Sequence, residues 1–177
     1  MWQMKYQKPS MGDITYAVDM AIACLITYWV VAFLLPDVAG RPSTPVGMLW
    51  AVISTVFVYK DTRSHSLSAG ISRMIATIIS LALCMSYLLL FPITPFGMAA
   101  LILIGTLVTI SLGRREEIGL TAITTAVVMI VAANDPQNAL QQPLLRLADT
   151  VIGIAIGVVC KWGASFMFYK IVWEEIR

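Results

Sequence analysis

The chain has 177 residues, of which 59% are hydrophobic and 12% charged, with a formal net charge of +2 and a mean hydropathy of +0.82. A soluble domain typically carries about 25% charged residues, so this composition excludes a soluble globular protein and indicates an integral membrane protein. It gives no reason to expect a nucleic-acid partner; the expected partner is the lipid bilayer itself.

Residues 1–13 are polar and are expected to form a cytoplasmic N-terminal segment. They lack an apolar core before Ile14 and a small-residue cleavage site, so the segment reads as retained rather than cleaved. Six apolar segments follow. They run from about Ile14 to Leu35 (ending at Pro36), Val46 to Tyr59, Leu67 to Phe91, Thr94 to Leu112, Ile118 to Val131 and Leu144 to Tyr169. Crossing a hydrocarbon core takes roughly 20 helical residues, which the first, third, fourth and sixth segments meet. The second and fifth have about 14 residues, roughly 21 Å against a core of roughly 30 Å. They are expected to be broken helices or helices buried inside the bundle, because neither suits contact with lipid on all sides.

The second and fifth segments resemble each other. Ile53, Thr55 and Val58 align with Ile123, Thr125 and Val128, and downstream Arg73, Thr77 and Ile79 align with Arg146, Thr150 and Ile152. Each copy is a short apolar segment, a polar break and a long apolar helix with an arginine near its start. Three helices per copy is an odd number, so a duplicated second half inserts upside down. The expectation is an all-α membrane protein of six transmembrane helices, with a first three-helix repeat over 14–92 and a second over 93–177 ending in a short cytoplasmic tail. Paired short segments at matching places in inverted halves point to a substrate path near the midplane.

Orientation follows from the positive charges. With both termini cytoplasmic, the inner side collects Lys5, Lys8, Lys60, Arg63, Arg114, Arg115, Lys170 and Arg177, and the outer side carries Arg41 and Arg146. That asymmetry satisfies the positive-inside rule. Trp29 and Trp50 fall near the outer interface and Trp173 near the inner one, where an aromatic belt is expected; Trp50 is also a candidate for the substrate path.

A charged side chain within the membrane is a functional candidate by default. Arg73 lies about two turns into the third segment, and Arg146 starts the sixth beside Asp149, which can neutralise it at i+3. Lys60, Arg63 and His65 add positive charge at the inner mouth, a field that attracts anions. Thr55 and Thr125 can hydrogen-bond a substrate oxygen or cement helix contacts. Lys161 either lines the path or reaches the inner interface, and Asp19 and Asp149 are candidates for carrying a coupled proton or for pairing with an arginine. Gly153, Gly157 and Gly163 read as close helix packing, and Gly113-Arg114-Arg115-Glu116-Glu117 as a solvated turn. Cys24, Cys84 and Cys160 show no disulfide or zinc spacing and read as small thiols in helix packing. With one histidine, no HExxH or GxSxG run and no phosphate-cradling glycine loop, no enzyme, metal or cofactor is expected.

The wording of the first copy carries a resemblance. Trp50-Ala51, Thr55-Val56 and Val58, a polar turn, then Leu67, Gly70, Arg73 and Thr77 are similar to the signature of the fusaric-acid-resistance-like proteins. That superfamily includes bacterial aromatic acid exporters and plant aluminium-activated malate transporters. The resemblance spans essentially the whole chain as a six-helix membrane half. It implies export or conductance of aromatic or dicarboxylate anions, most readily in a bacterial inner membrane, by a homo-oligomer with cationic helix starts lining the path. The family arginine carries over to Arg73 and, through the repeat, more weakly to Arg146. Ala76 stands where the family has glycine, and the family's large cytoplasmic helical domain is missing from this sequence. A homodimer is expected, because six short helices enclose little path. The competing function is that of a non-transporting accessory or assembly subunit of a larger membrane complex.

Overall fold

The computed structural model describes residues 8–34 and 45–175. Lys5, Arg41, Arg177 and the Pro36 end of the first apolar segment lie outside the described residues, as do the side chains of Lys170 and Trp173. Among the described residues the structure is all-helical, with six α-helices: α1 (Met11–Trp29), α2 (Pro45–Val58), α3 (Arg63–Leu90), α4 (Pro95–Ser111), α5 (Ile118–Asn134) and α6 (Gln141–Glu175). A π-helical turn, Val30–Leu34, extends α1.

Local chemistry sets the helix starts. Ser10 and Asp13 form a reciprocal capping box at α1. Thr62 accepts the His65 N–H at the start of α3, and Thr94 accepts the Gly97 N–H ahead of Pro95 in α4. Gly113, at φ +74°, ends the α4 region by turning the chain so that Arg114 N–H reaches the Thr109 carbonyl at 3.0 Å.

Four helices are long and apolar enough to cross a membrane: Met11–Phe33, Arg63–Leu90, Arg115–Asn134 and Gln141–Phe166. This corrects the lengths expected from sequence. The fourth segment is one of the two shorter helices, trimmed to 17 residues by its Thr94-Pro95 cap and by the turn at Gly113. The fifth is lengthened by a 3-10 turn, Arg115–Glu117, that leads into it. α2 is short as expected, at 14 residues, and buries one face against its neighbours while Leu49, Val56 and Phe57 stay exposed. Its Gly47, Trp50, Ala51, Ser54, Thr55 and Val58 are buried at i, i+3, i+4, i+7, i+8 and i+11, one continuous helical stripe.

Helix α2 packs on α1, α6 and α3; α5 packs on α4, α3 and α6; α3 and α6 pack on each other; and α1 meets α6 as α4 meets α3. Exchanging the first three helices for the last three leaves this set of pairs unchanged. The match reaches individual residues. A Cβ built on Gly153 of α6 would meet the Ala51 carbonyl oxygen of α2 and come within 2.7 Å of Ser54 Cβ. At the corresponding place Ser80 of α3 donates its hydroxyl to the Thr121 carbonyl of α5 at 2.9 Å. Gly157 lies against the Thr55 backbone, and the aligned Cys84 sits beside Thr125.

Gly153 and Gly157 therefore allow the close approach of α6 to α2, as small residues do between membrane helices. Gly163 does not share this role, since no described residue lies within 4 Å of where its Cβ would be. Gly153→Ala is expected to force the helices apart at a cost of about 1–3 kcal/mol. Gly163→Ala is expected to stabilise α6 slightly, by removing a flexible residue from a helix. Thermal unfolding of the two variants in detergent checks the contrast.

Candidate functional site

Arg73 projects from α3 ten residues after its start at Arg63, a rise of about 15 Å, or half of a hydrocarbon core. It is 1% exposed. Its guanidinium lies between two aromatic faces of α2, with its central carbon 5.0 Å from the Trp50 ring and 5.0 Å from the Phe57 ring. Nη2 makes one long hydrogen bond, 3.4 Å, to the Ser54 hydroxyl, which itself donates to the Trp50 carbonyl at 2.8 Å. Nε and Nη1 have no hydrogen-bond partner among the described residues, and no described carboxylate forms an ion pair with Arg73.

A buried cation without a counter-ion costs several kcal/mol. Cation–π contacts contribute about 0.5–2 kcal/mol each, too little to offset that and unable to occupy the in-plane donors. The guanidinium thus keeps directional N–H donors pointing at no acceptor. This arrangement suits a carboxylate, which accepts paired N–H donors in the plane of the fork.

Arg146 is aligned with Arg73 in the repeat but differs in its chemistry. Its Nη1 lies 3.2 Å from Asp149 Oδ2, with both side chains almost fully buried. The residue aligned with Asp149 in the first copy is Ala76, fully buried and without a polar atom to offer. Otherwise the copies match: Thr77 donates to the Arg73 carbonyl at 2.9 Å, and Thr150 to the Arg146 carbonyl at 2.7 Å. The two neighbourhoods meet at Trp50, whose indole N–H donates to Thr150 Oγ1 at 3.0 Å while its ring faces Arg73.

The remaining expected site residues separate into four places. Lys60 and His65 line a cavity of about 430 Å³ that is also bounded by Phe57, Ser68, Ser72 and Glu117. Arg63 is exposed at the nearby start of α3. Lys161 lies elsewhere, in a groove of about 450 Å³ with Asp13, Tyr16, Asp19 and Asp61, its ammonium over the rings of Tyr59 and Tyr16 at 5.0 and 5.4 Å. Thr55 serves packing: its hydroxyl bridges Thr27 of α1 at 2.8 Å and the Gly153 carbonyl of α6 at 3.1 Å. Thr125 is buried in the α3–α5 crossing beside Cys84.

Two sequence readings are corrected. Trp50 is 2% exposed, so it is not a belt residue; Trp29, at 60%, has the exposure a belt requires. The Gly113–Glu117 run is not wholly solvated, because Glu117 is buried and accepts Arg114 Nη1 at 2.7 Å. Phe57 was missed as a site residue. Its spacing of seven from Trp50, which puts the two rings two turns apart on one helix face, was the available signal.

The end of the bundle at Lys60 also holds the starts of α3 and α5, and both cavities open there. The opposite end joins Leu88 and Phe91 to Ala133 and Ala139. Successive helices from α2 to α6 therefore alternate in direction. No curated protein and no solved structure matches the chain. The family model described as fusaric acid resistance protein-like matches residues 22–160, which take in both repeat copies, Arg73 and Arg146. The chain belongs to the fusaric acid resistance protein-like family, and is a multi-pass membrane protein related to transport.

Proposed function

We propose that the protein exports or conducts organic anions, with aromatic or dicarboxylic acids as the substrate class and Arg73 as the group that binds the carboxylate. The observation that carries this reading is the fully buried guanidinium with two nitrogens unmet between the Trp50 and Phe57 rings. Ser54 supplies a neighbouring hydroxyl. Lys60 and the nearby Arg63 offer an anion positive charge at a mouth that Glu116 and Glu117 also line. Arg146 has a structural part, since Asp149 neutralises it in place.

The topology proposed with it is six spans in two inverted repeats, 14–92 and 93–177, with both termini cytoplasmic in a bacterial inner membrane. The alternating helix directions and the helix pairs that survive exchange of the halves support inversion. The gathering of Lys60, Arg63, Arg114 and Arg115 at one end supports the orientation. A homodimer completes the assembly. For coupling to a proton, Asp19 is the better placed acid: it lines a groove about 450 Å³ in volume, whereas Asp149 is engaged with Arg146.

The test is efflux from liposomes holding the purified protein, with a panel of aromatic and dicarboxylic acids, with and without a pH gradient. Saturable efflux of at least one acid is expected, and acceleration by the gradient marks coupling. A folded protein that moves none of the panel overturns the transport reading and favours an accessory subunit.

A further inference from the structure

We propose that Phe57 is a movable ring that separates the cavity beside Lys60 from Arg73, and that an anion reaches the guanidinium by taking the place of this ring. The inference rests on the anion-binding reading of Arg73.

The two rings that flank the guanidinium lie at the same distance but differ in freedom. Trp50 is 2% exposed and its indole N–H is held by Thr150, which is anchored in turn on the Arg146 carbonyl. Phe57 has no polar atom to anchor it, is 40% exposed, and sits in the last turn of α2. It lines the cavity of about 430 Å³ while its ring faces the Arg73 cation. A change of χ1 rotamer moves such a ring as a unit. Moving it into the cavity uncovers the side of the Arg73 guanidinium that the ring now covers.

The cavity walls fix the approach. Lys60 and His65 stand on the α2–α3 side, while Glu116 and Glu117 stand on the α5 side. An anion is drawn along the first wall and held off the second. The groove around Lys161 is a poorer entrance, because three carboxylates, Asp13, Asp19 and Asp61, line it and Phe57 does not. What replaces the ring must offer a carboxylate to the guanidinium and an apolar body to the space beside Trp50. Phe57 therefore sets both the timing of access and the size of the substrate.

The test reads access to the site without reading transport. In the full chain reconstituted in liposomes, with Cys24, Cys84 and Cys160 replaced by serine or alanine, Ser54→Cys places a thiol beside Arg73. Labelling by the anionic reagent 2-sulfonatoethyl methanethiosulfonate is timed with Phe57 present and in F57L, F57V and F57A. A ring open for about 1–10% of the time predicts labelling about 10- to 100-fold faster in F57A, with the leucine and valine variants ranked between. The ranking survives if one variant fails to fold. Equal rates across the series show that the ring is no barrier, and no labelling in any variant shows that the cavity does not lead to Arg73; either overturns the proposal. A graded series in a protein that moves no anion instead overturns the transport reading and leaves the barrier standing.

Discussion

Arg73→Gln is expected to remove most anion flux while leaving the protein at least as stable as before. The loss follows from the hydrogen bonds that a guanidinium gives a carboxylate. At about 1.5–3 kcal/mol for bonds to charged groups, and 1.4 kcal/mol per tenfold, binding weakens about 10- to 150-fold. The retained stability follows from the burial of Arg73 without a counter-ion among the described residues. Glutamine keeps a donor for Ser54 and no longer strands a charge between two rings, so the penalty of an unpaired buried cation disappears. A site that gains stability as it loses activity is held for function. Arg73→Lys keeps the charge but not the planar fork, so intermediate flux is expected. Efflux and thermal unfolding of the same preparations check both halves. Native flux in the glutamine variant sinks the assignment, and a large fall in unfolding temperature makes Arg73 a packing residue instead.

The second large effect belongs to the other arginine and has the opposite character. Asp149→Asn or Arg146→Gln alone leaves one buried charge without its 3.2 Å partner. Each is expected to destabilise the fold by about 3–5 kcal/mol, the usual cost of breaking a buried pair. The double variant R146Q/D149N removes both charges and is expected to be more stable than either single one. A double-mutant cycle of unfolding free energies in detergent isolates the coupling. If the double variant is as unstable as the sum of the singles, the pair does not act as a unit. The two arginines thus give contrasting signatures from aligned positions on one scaffold.

The difference between them was legible in the sequence, because Asp149 stands at i+3 from Arg146 and Ala76 at i+3 from Arg73, a spacing that a helix turns into contact. The six apolar segments were legible too, since composition and proline breaks mark them. Lengths were less so: whether a helix gains a 3-10 lead-in, as α5 does at Arg115–Glu117, or is trimmed by its cap, as α4 is at Thr94, depends on a few polar residues outside the apolar run. Trp50 was misread because interface position and burial compete for tryptophan, and the Thr150 partner that buries it lies 100 residues away. Glu117 was hidden in a charged run whose exposure depends on how α3 and α4 pack around the turn. The choice between path and inner interface for Lys161 stayed open because depth in a helix says nothing of azimuth, and its azimuth faces Tyr16 of α1. Phe57 looks like any lipid-facing phenylalanine until α3 puts a cation beneath it.

The Arg146–Asp149 pair has one more implication. Asp149 is in effect a ligand tethered to its own receptor, one turn along the same helix. Even a short flexible tether gives an effective concentration of about millimolar, and a helical one is already aligned, so a dissolved acid competes poorly for Arg146. The first copy has Ala76 at that place, so Arg73 has no such tethered acid on its own helix. A carboxylate built in at Ala76 gives Arg73 a permanent occupant of its own.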